Sequence, residues 1–98
     1  MTEFDSNLLD ELIHSKLRLG IMSMLISVDY AEFSVIKNKL QATDGNLSAN
    51  LRKLEEAEYI KVFKTFVLRK PQSRYSITEK GKSAFENYIS NLEKLINN

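Results

Sequence analysis

The sequence lacks cysteine and holds only one histidine, one proline and three glycines in 98 residues. Without cysteine, neither a disulfide framework nor a thiolate metal site can form. The one histidine, His14, has no cysteine or paired carboxylates near it in sequence to build a nucleophilic or metal-dependent active site. No glycine-rich phosphate-binding motif is present. We therefore expect a protein that is not an enzyme and that carries no cofactor and no metal.

Long hydrophobic runs are also missing. The longest run near the start, GIMSMLISV at residues 20–28, is too short to span a bilayer, and no signal-peptide cleavage context follows it. Apolar residues make up 43% and charged residues 28% of the chain, which is a globular profile. The sequence predicts one cytoplasmic domain, residues 1–98, with a single modest core and no membrane partner.

Charge is distributed unevenly along the chain. Residues 1–60 hold 6 Lys/Arg against 10 Asp/Glu, residues 61–82 hold 7 against 1, and residues 83–98 hold 1 against 2. One short basic segment therefore lies inside an otherwise acidic chain, and such asymmetry is typical of nucleic-acid binding. A solvated basic face without a partner is the alternative.

Apolar periodicity predicts two helices in the first third of the chain. Leu8, Leu9, Leu12 and Ile13 share one helical face, which indicates a short helix over about 5–13. Ser15 can cap a second helix that runs through residues 17–28. Because that helix is apolar nearly all round, we expect it at the centre of the core.

The next segment predicts a helix-turn-helix over about 34–57. A third helix would begin at Ser34 as its cap, and residues 41–44 would form the turn. Thr43 or Asp44 would then cap a helix over 44–57.

After residue 57 the apolar period changes from that of a helix to that of a strand. Residues 60–78 predict a β-hairpin with a long basic tip that contains Pro71, followed by a long helix over about 79–97. The predicted fold class is α+β, mostly helical, with a helix-turn-helix, a β-hairpin and a long C-terminal helix.

The helix over 44–57 has two different faces. On a helical wheel, Leu47, Leu51 and Leu54 form the inward stripe, and small, amide and cationic side chains lie elsewhere. Small residues allow close approach to a DNA major groove, while Asn and Arg can read adenine and guanine edges. A tight capped turn explains Gly45 and Asn46 equally well, but not the residues further in. The predicted DNA contacts here, with the hydroxyls suited to phosphate, are Ser34, Thr43, Gly45, Asn46, Ser48, Ala49, Asn50, Arg52 and Lys53.

The basic hairpin supplies a second set of candidate contacts. Cations at its tip would neutralise phosphates or enter the minor groove. They would also protect an exposed hairpin from edge-to-edge pairing, and both roles can hold together. The predicted DNA contacts in the hairpin are Lys64, Arg69, Lys70, Gln72 and Arg74.

This order of elements resembles a winged helix-turn-helix DNA-binding domain of the MarR/ArsR-like transcriptional regulators, in their small single-domain group. The resemblance rests on TDGNLSANLRKLEEAEYI, on RKPQSRYSIT in the hairpin, or wing, and on TEKG at the last helix. It implies a homodimer that binds a pseudo-palindromic operator in double-stranded DNA through the helix over 44–57 and the wing. Two glycines common in such regulators are absent, one after Leu40 and one at Glu58, so we expect a helix end that is strained or shaped differently.

The resemblance also implies that the first and last helices form the dimer contact. The apolar stripe of the last helix continues two turns past Tyr88, and a projecting apolar stripe favours a partner. Packing of the two helices on each other within one chain is the alternative. The predicted dimer residues are Leu8, Leu9, Leu12, Tyr88, Leu92, Leu95 and Ile96.

A second function stays open at this point. The same fold can serve as a protein-interaction module or an accessory of a transcription complex. Phe63, Phe66 and Val67 favour this alternative if they are exposed. The sequence does not identify the operator, the regulated genes, the direction of regulation or any small-molecule effector.

Overall fold

The computed structural model describes residues 9–97. Four helices and three strands follow one another as α1 (Lys16–Leu25), β1 (Ala31–Glu32), α2 (Phe33–Leu40), α3 (Asp44–Glu56), β2 (Ile60–Val67), β3 (Lys70–Ile77) and α4 (Glu79–Ile96). The predicted fold class is confirmed, because a helix-turn-helix, a β-hairpin and a long last helix occur in that order.

The core forms where α1, α2 and α3 meet the base of the hairpin and α4. The three leucines predicted to face inward, Leu47, Leu51 and Leu54, are at most 1% exposed. Ile21, Met22 and Leu25 give α1 its buried face, so the prediction that this helix is central is right. Close packing of these side chains fixes the helix-turn-helix relative to the sheet.

The sheet has the strand order β1-β3-β2, and all of its pairings are antiparallel. In the hairpin, Ile60 pairs with Ile77 at the base and Val67 pairs with Lys70 at the tip. Strand β1 was not predicted, because two residues are too few for any periodic signal. It adds Ala31 opposite Tyr75.

The short helix predicted over 5–13 is not present in the described part of that range. Residues 11–13 form a turn, and residues 5–8 lie outside the described residues. The carboxylate of Asp10 accepts hydrogen bonds from the backbone N–H groups of Leu12 and Ile13, at 2.8 and 3.2 Å. An aspartate that bonds locally in this way competes with helix formation. The second helix is also shorter than predicted, since it ends at Leu25.

Two local predictions around the turn and the wing are wrong. Ser34 does not cap α2, because Glu32 holds the cap position without a side-chain bond and Ser34 lies within the helix. The wing tip is not long, since only Leu68 and Arg69 separate β2 from β3. Pro71 lies in β3 opposite Phe66. In an antiparallel ladder, hydrogen-bonded pairs alternate with non-hydrogen-bonded pairs, and the pair that closes a two-residue turn is hydrogen-bonded. The next pair, Phe66 and Pro71, is therefore a non-hydrogen-bonded one, so the proline nitrogen faces away from β2 and costs no ladder bond.

Both helices of the helix-turn-helix are followed by a residue in the left-handed conformation, and neither of these residues is glycine. Gln41 and Glu58 have φ of 51° and 63°. After α3, Tyr59 N–H donates to Leu54 O and Glu58 N–H donates to Glu55 O, which is the Schellman arrangement. Of the two outcomes expected from the missing glycines, the strained one is found: the usual geometry is kept, with glutamine and glutamate in the left-handed conformation.

The TEKG sequence forms the joint between the wing and α4. Thr78 caps α4 by accepting from the Gly81 N–H at 3.0 Å, and its hydroxyl donates to Glu58 O at 2.6 Å. A Cβ on Gly81 would lie 2.1 Å from the backbone oxygen of Tyr59. Glycine at this position therefore permits α4 to lie directly against the start of β2.

Candidate nucleic-acid interface

The outer surface of α3 is exposed and small at its N-terminal end. Thr43 caps the helix, as predicted, by accepting from the Asn46 N–H at 3.2 Å. The three leucines and Asn50 are the buried residues of α3. The predicted contacts that are exposed on this helix and its cap are Thr43, Gly45, Asn46, Ser48, Ala49, Arg52 and Lys53.

Gly45 has no fold-based reason to be glycine. A Cβ built at this position meets nothing within 4 Å. Glycine in a helix costs about 1 kcal/mol relative to alanine, so the position is suboptimal for the helix itself. Within residues 9–97 no packing contact requires glycine here, and the position leaves open space on the surface of α3.

Asn50 is not on the exterior, where we predicted it. Its residue surface is only 9% exposed. The Asn50 Oδ1 accepts from Arg18 Nη1 at 2.6 Å, and Nδ2 donates to Asn46 O at 2.7 Å. With its amide fully engaged between α1 and α3, this side chain holds the two helices together and is not available to read a base.

The start of α2 lies beside the wing. Ser34, Gln72 and Ser73 line the same shallow cavity of about 300 Å³ between α2 and β3. Ser34 is exposed there and Gln72 is half-buried. The Gln72 Oε1 atom is buried and has no hydrogen-bond partner among residues 9–97. At the other end of α2, Lys37 pairs with Asp44 at 2.8 Å across the turn.

The predicted basic contacts of the wing fall into two groups. Lys64, Arg69 and Lys70 are exposed on the projecting half of the hairpin. Arg74 lies at its base, where its guanidinium carbon is 4.4 Å from the centre of the Tyr30 ring and Nη2 is 3.8 Å from Glu32 Oε1. The ring of Tyr30 meets Phe63 edge to face at 6.2 Å. Arg74 thus has partners within its own chain, while the other three cations are available.

The wing tip carries large apolar side chains in solvent. Leu68 is 91% and Phe66 is 73% exposed, and Phe63 and Val67 are exposed as well. Leu68 and Arg69 both have positive φ, as the central residues of a type I′ turn require. Leu68 was missed in the sequence, because the usual signal for this turn is Asn-Gly and Leu-Arg does not resemble it.

The predicted dimer residues are placed differently from one another. Tyr88 is 3% exposed, and its hydroxyl lies 2.8 Å from His14 Nδ1 within the same chain. The side chains that pack against the core of the chain itself are Leu9, Leu12 and Leu92. Ile96 is 68% exposed and Leu95 is half-buried, while Leu8 lies outside the described residues. Tyr88 therefore packs within its own chain.

Residues 9–97 lack two other kinds of feature. Within residues 9–97, no group of three or more His, Asp or Glu side chains is arranged to hold a metal ion. In the same part of the chain no helix has the length and apolarity to cross a membrane.

A helix-turn-helix followed by a β-hairpin, with an exposed polar second helix beside basic strands, defines a winged helix DNA-binding domain. The winged helix DNA-binding domain family matches residues 17–96. The chain belongs to this family, and the resemblance inferred from its motifs is confirmed.

Individual relatives agree with this assignment. The chain is 36% identical over 88 residues to Uncharacterized protein MJ0432 of Methanocaldococcus jannaschii, covering 90% of this chain and 96% of that protein. A transcriptional regulator homologue from Pyrococcus horikoshii OT3 is 31% identical with a TM-score of 0.83, covering 90% of this chain and 87% of that one. The protein ytfH of Salmonella typhimurium is 19% identical with a TM-score of 0.73, over 90% of this chain and 78% of its own, and shares the fold. The relatives support a DNA-binding regulator over an enzyme.

Proposed function

We propose that this chain is a sequence-specific transcriptional regulator that binds double-stranded DNA as a homodimer. The observation that carries the proposal is the surface of α3, where Asn46, Ser48 and Arg52 are exposed beside a glycine with open space around it. Such a helix can sink its first turns into a major groove, where an amide and a guanidinium meet base edges and a hydroxyl meets the DNA backbone.

The base-reading set differs from the predicted one by the loss of Asn50. Its amide is committed to Arg18 and Asn46. We assign base contacts to Asn46 and Arg52, and phosphate contacts to Ser48, Lys53 and the α3 N-terminus with Thr43. Ser34, at the exposed start of α2, can reach the same DNA backbone.

The wing supplies the sequence-independent part of the affinity. Lys64, Arg69 and Lys70 are exposed, and no acidic residue occurs from residue 59 to residue 78. Each phosphate neutralised steepens the salt dependence of binding by about one unit in a log–log plot. Arg74 stands nearer the wing base, where its contacts with Tyr30 and Glu32 help to position the strands that carry the exposed cations. Gln72 lies opposite Thr65, nearer the tip than Lys64, and is a proposed contact to the DNA backbone.

A homodimer accounts for the exposed end of α4. Leu95 and Ile96 continue the apolar stripe beyond the part of α4 that packs on the core. Pairing through this end with a second copy would place two α3 helices on one duplex, with half-sites about 34 Å, one helical turn, apart. The operator is then pseudo-palindromic, and a cytoplasmic location accompanies this function.

Fluorescence anisotropy with a labelled duplex tests the proposal. Random-sequence duplex should bind with a steep salt dependence, and Arg69→Ala should lower the slope by about one, while Arg69→Lys keeps it. Sites selected from a random library should share a motif, and Arg52→Ala should relax the preference at one base pair per half-site. Binding that is absent at low salt, or that does not respond to salt, refutes the DNA-binding function.

The competing function is a protein-interaction module. Exposed Phe63, Phe66 and Leu68 favour it, because a patch of apolar side chains on a projecting hairpin is typical of a protein contact. This alternative predicts that duplex DNA of any sequence binds the chain no better than it binds chain that is blocked with heparin. It also predicts that selection from a random library yields no motif.

A further inference from the structure

The exposed apolar side chains of the wing tip are not explained by folding. Leu68 and Phe66 are the two most exposed large hydrophobic residues within residues 9–97, at 91% and 73%. Neither lies near the core, since the buried part of the hairpin is confined to its base at Ile60, Tyr75 and Ile77.

The turn itself is held in an unfavourable conformation. Leu68 and Arg69 adopt φ of 52° and 67°, where a residue with a Cβ costs about 1–2 kcal/mol. Asn-Gly would make the same two-residue turn without this cost. Backbone strain of this kind is typical of functional positions, so the identities of these side chains point to a role outside the fold.

The surroundings of the tip define the partner as anionic. Cationic side chains flank it at Lys64, Arg69 and Lys70, and acidic residues are absent from residues 59–78. Because α3 leads into β2 through residues 57–59 and contacts it, the wing is attached directly to the helix that we propose reads DNA. The partner that fits both observations is the duplex already bound by α3.

We propose that Leu68 and Phe66 form an apolar wedge that enters the minor groove and partly unstacks a flexible base step. This inference rests on the proposed function. The side-chain types suit it, because proteins that kink DNA from the minor groove insert Phe, Leu or similar residues between bases. The minor groove is about 6 Å wide, so the two-stranded ribbon stays outside it and only the side chains at the tip enter.

The wedge adds a form of specificity that no base contact supplies. Pyrimidine–purine steps such as TA unstack most easily, so the wing tip selects sites that carry such a step beside the α3 half-site. The cations around the tip hold the hairpin against the phosphates on both sides of the groove. The chain therefore bends its DNA, and the bend depends on side chains that carry no charge.

The experiment uses the full chain and a duplex selected by it from a random library, with 2-aminopurine placed beside each TA step flanking the half-sites. Wild-type chain should raise 2-aminopurine fluorescence and shorten the end-to-end distance measured by energy transfer. Leu68→Ser and Phe66→Ser should abolish both signals and weaken binding about tenfold, within the range expected when a stacking side chain is removed. Their salt slopes should match that of the wild type.

Two controls separate the wedge from other effects. Val28→Ser removes an exposed apolar side chain, 45% exposed, that lies outside the wing, and should change neither signal. Thermal melts should show both wing variants folded, because exposed substitutions change stability by about 0.5 kcal/mol or less.

Three outcomes overturn the wedge. If the wing variants bind and bend DNA as the wild type does, the wedge is wrong while the DNA-binding function stands. If the wild-type chain shows no salt-dependent DNA binding, the proposed function itself has failed. If Leu68→Ser instead abolishes binding to vesicles of phosphatidylglycerol and phosphatidylcholine and leaves the 2-aminopurine signal intact, the tip serves a membrane surface.

Discussion

At the scale of single residues, the three glycines have different surroundings. A Cβ on Gly81 would clash with a backbone oxygen, whereas a Cβ on Gly20 would lie 2.9 Å from the flexible end of the Leu40 side chain. Gly45 faces open space. The same substitution to alanine therefore tests packing at one site and external contact at another.

Gly81→Ala should destabilise the fold by about 1–3 kcal/mol, because an extra methyl group against rigid backbone forces the joint between β2 and α4 apart. Gly45→Ala should keep or slightly raise stability, since alanine is the better helix former. Urea unfolding followed by circular dichroism measures both. On DNA the order reverses: Gly45→Ala weakens binding, and bulkier Gly45→Gln weakens it further. Equal loss of stability in both alanine variants contradicts this assignment.

The left-handed residues at the helix ends give a prediction of the opposite sign. Glu58→Gly and Gln41→Gly should each stabilise the chain by about 1 kcal/mol, because glycine adopts these φ values without the Cβ penalty, less some gain in unfolded-state freedom. Glu56→Gly, inside α3, is the matched control and should destabilise by about 1 kcal/mol. Chemical denaturation midpoints report all three, and a Glu58→Gly variant less stable than wild type would exclude this explanation.

At the scale of elements, α1 and α3 are joined by one polar link. Asn50→Ala should cost about 1–3 kcal/mol, because it leaves a half-buried Arg18 guanidinium without its carboxamide acceptor. The double variant with Arg18→Met should lose less than the sum of the single losses. Ser48→Ala, on the exposed face of the same helix, should leave stability unchanged. Additive losses in the double variant count against the link.

The segment before α1 is held to the start of β2 by Tyr59, whose hydroxyl donates to Asp10 at 2.6 Å. Burial, then the hydrogen bond to Asp10 and the charge of Asp10, raise the pKa of Tyr59 to about 12. Since the folded pKa lies above the unfolded value, this stabilisation is complete below about pH 10 and is lost as pH rises toward 12.

Tyr59→Phe should therefore lower stability at neutral pH and flatten the decline of stability between about pH 10 and 12. Unfolding in urea at a series of pH values gives the comparison. The remaining tyrosine with a raised pKa, Tyr75, which is raised chiefly by burial, is present in both chains and sets the residual slope. If the stability of the wild type and of the variant declines in parallel as pH rises, Tyr59 is not the cause of the decline.

Regular elements could be predicted from the sequence where one chain segment contains the whole signal. The leucines of α3 and its Thr43 cap are examples, because period and cap lie within a dozen residues. Asn50 could not be placed, since its burial depends on Arg18, which lies 32 positions away. The short turn at Leu68 was also hidden, because its residues contradict the preference of the turn that they form. Local sequence patterns do not predict contacts between distant residues or residues in strained conformations.

At the scale of the whole molecule, the shape is elongated, with principal extents of 59 × 25 × 21 Å. A domain of this length can present α3 and the wing to DNA while the end of α4 meets a second copy. The groove formed by Ile26, Phe85 and Ile89 continues the apolar surface along α4.

Ile96→Asp should convert the proposed homodimer to a monomer, because it places a charge on the exposed end of the apolar stripe of α4. Asn97→Asp adds the same charge one position further on and should leave the dimer intact. Sedimentation velocity at several concentrations distinguishes the two. DNA affinity should fall with the monomer, since two linked half-site contacts bind far more tightly than one. A dimer that survives Ile96→Asp excludes the α4 interface.

Tyr30 lies at the foot of the wing, stacked on Arg74 and edge to face with Phe63. The chain has no tryptophan and only four tyrosines. Its intrinsic fluorescence therefore comes from tyrosine alone, and one of the emitters lies where the hairpin joins the body. When the hairpin shifts against the helices, this emission changes, and the molecule provides its own optical signal for DNA engagement without an attached dye.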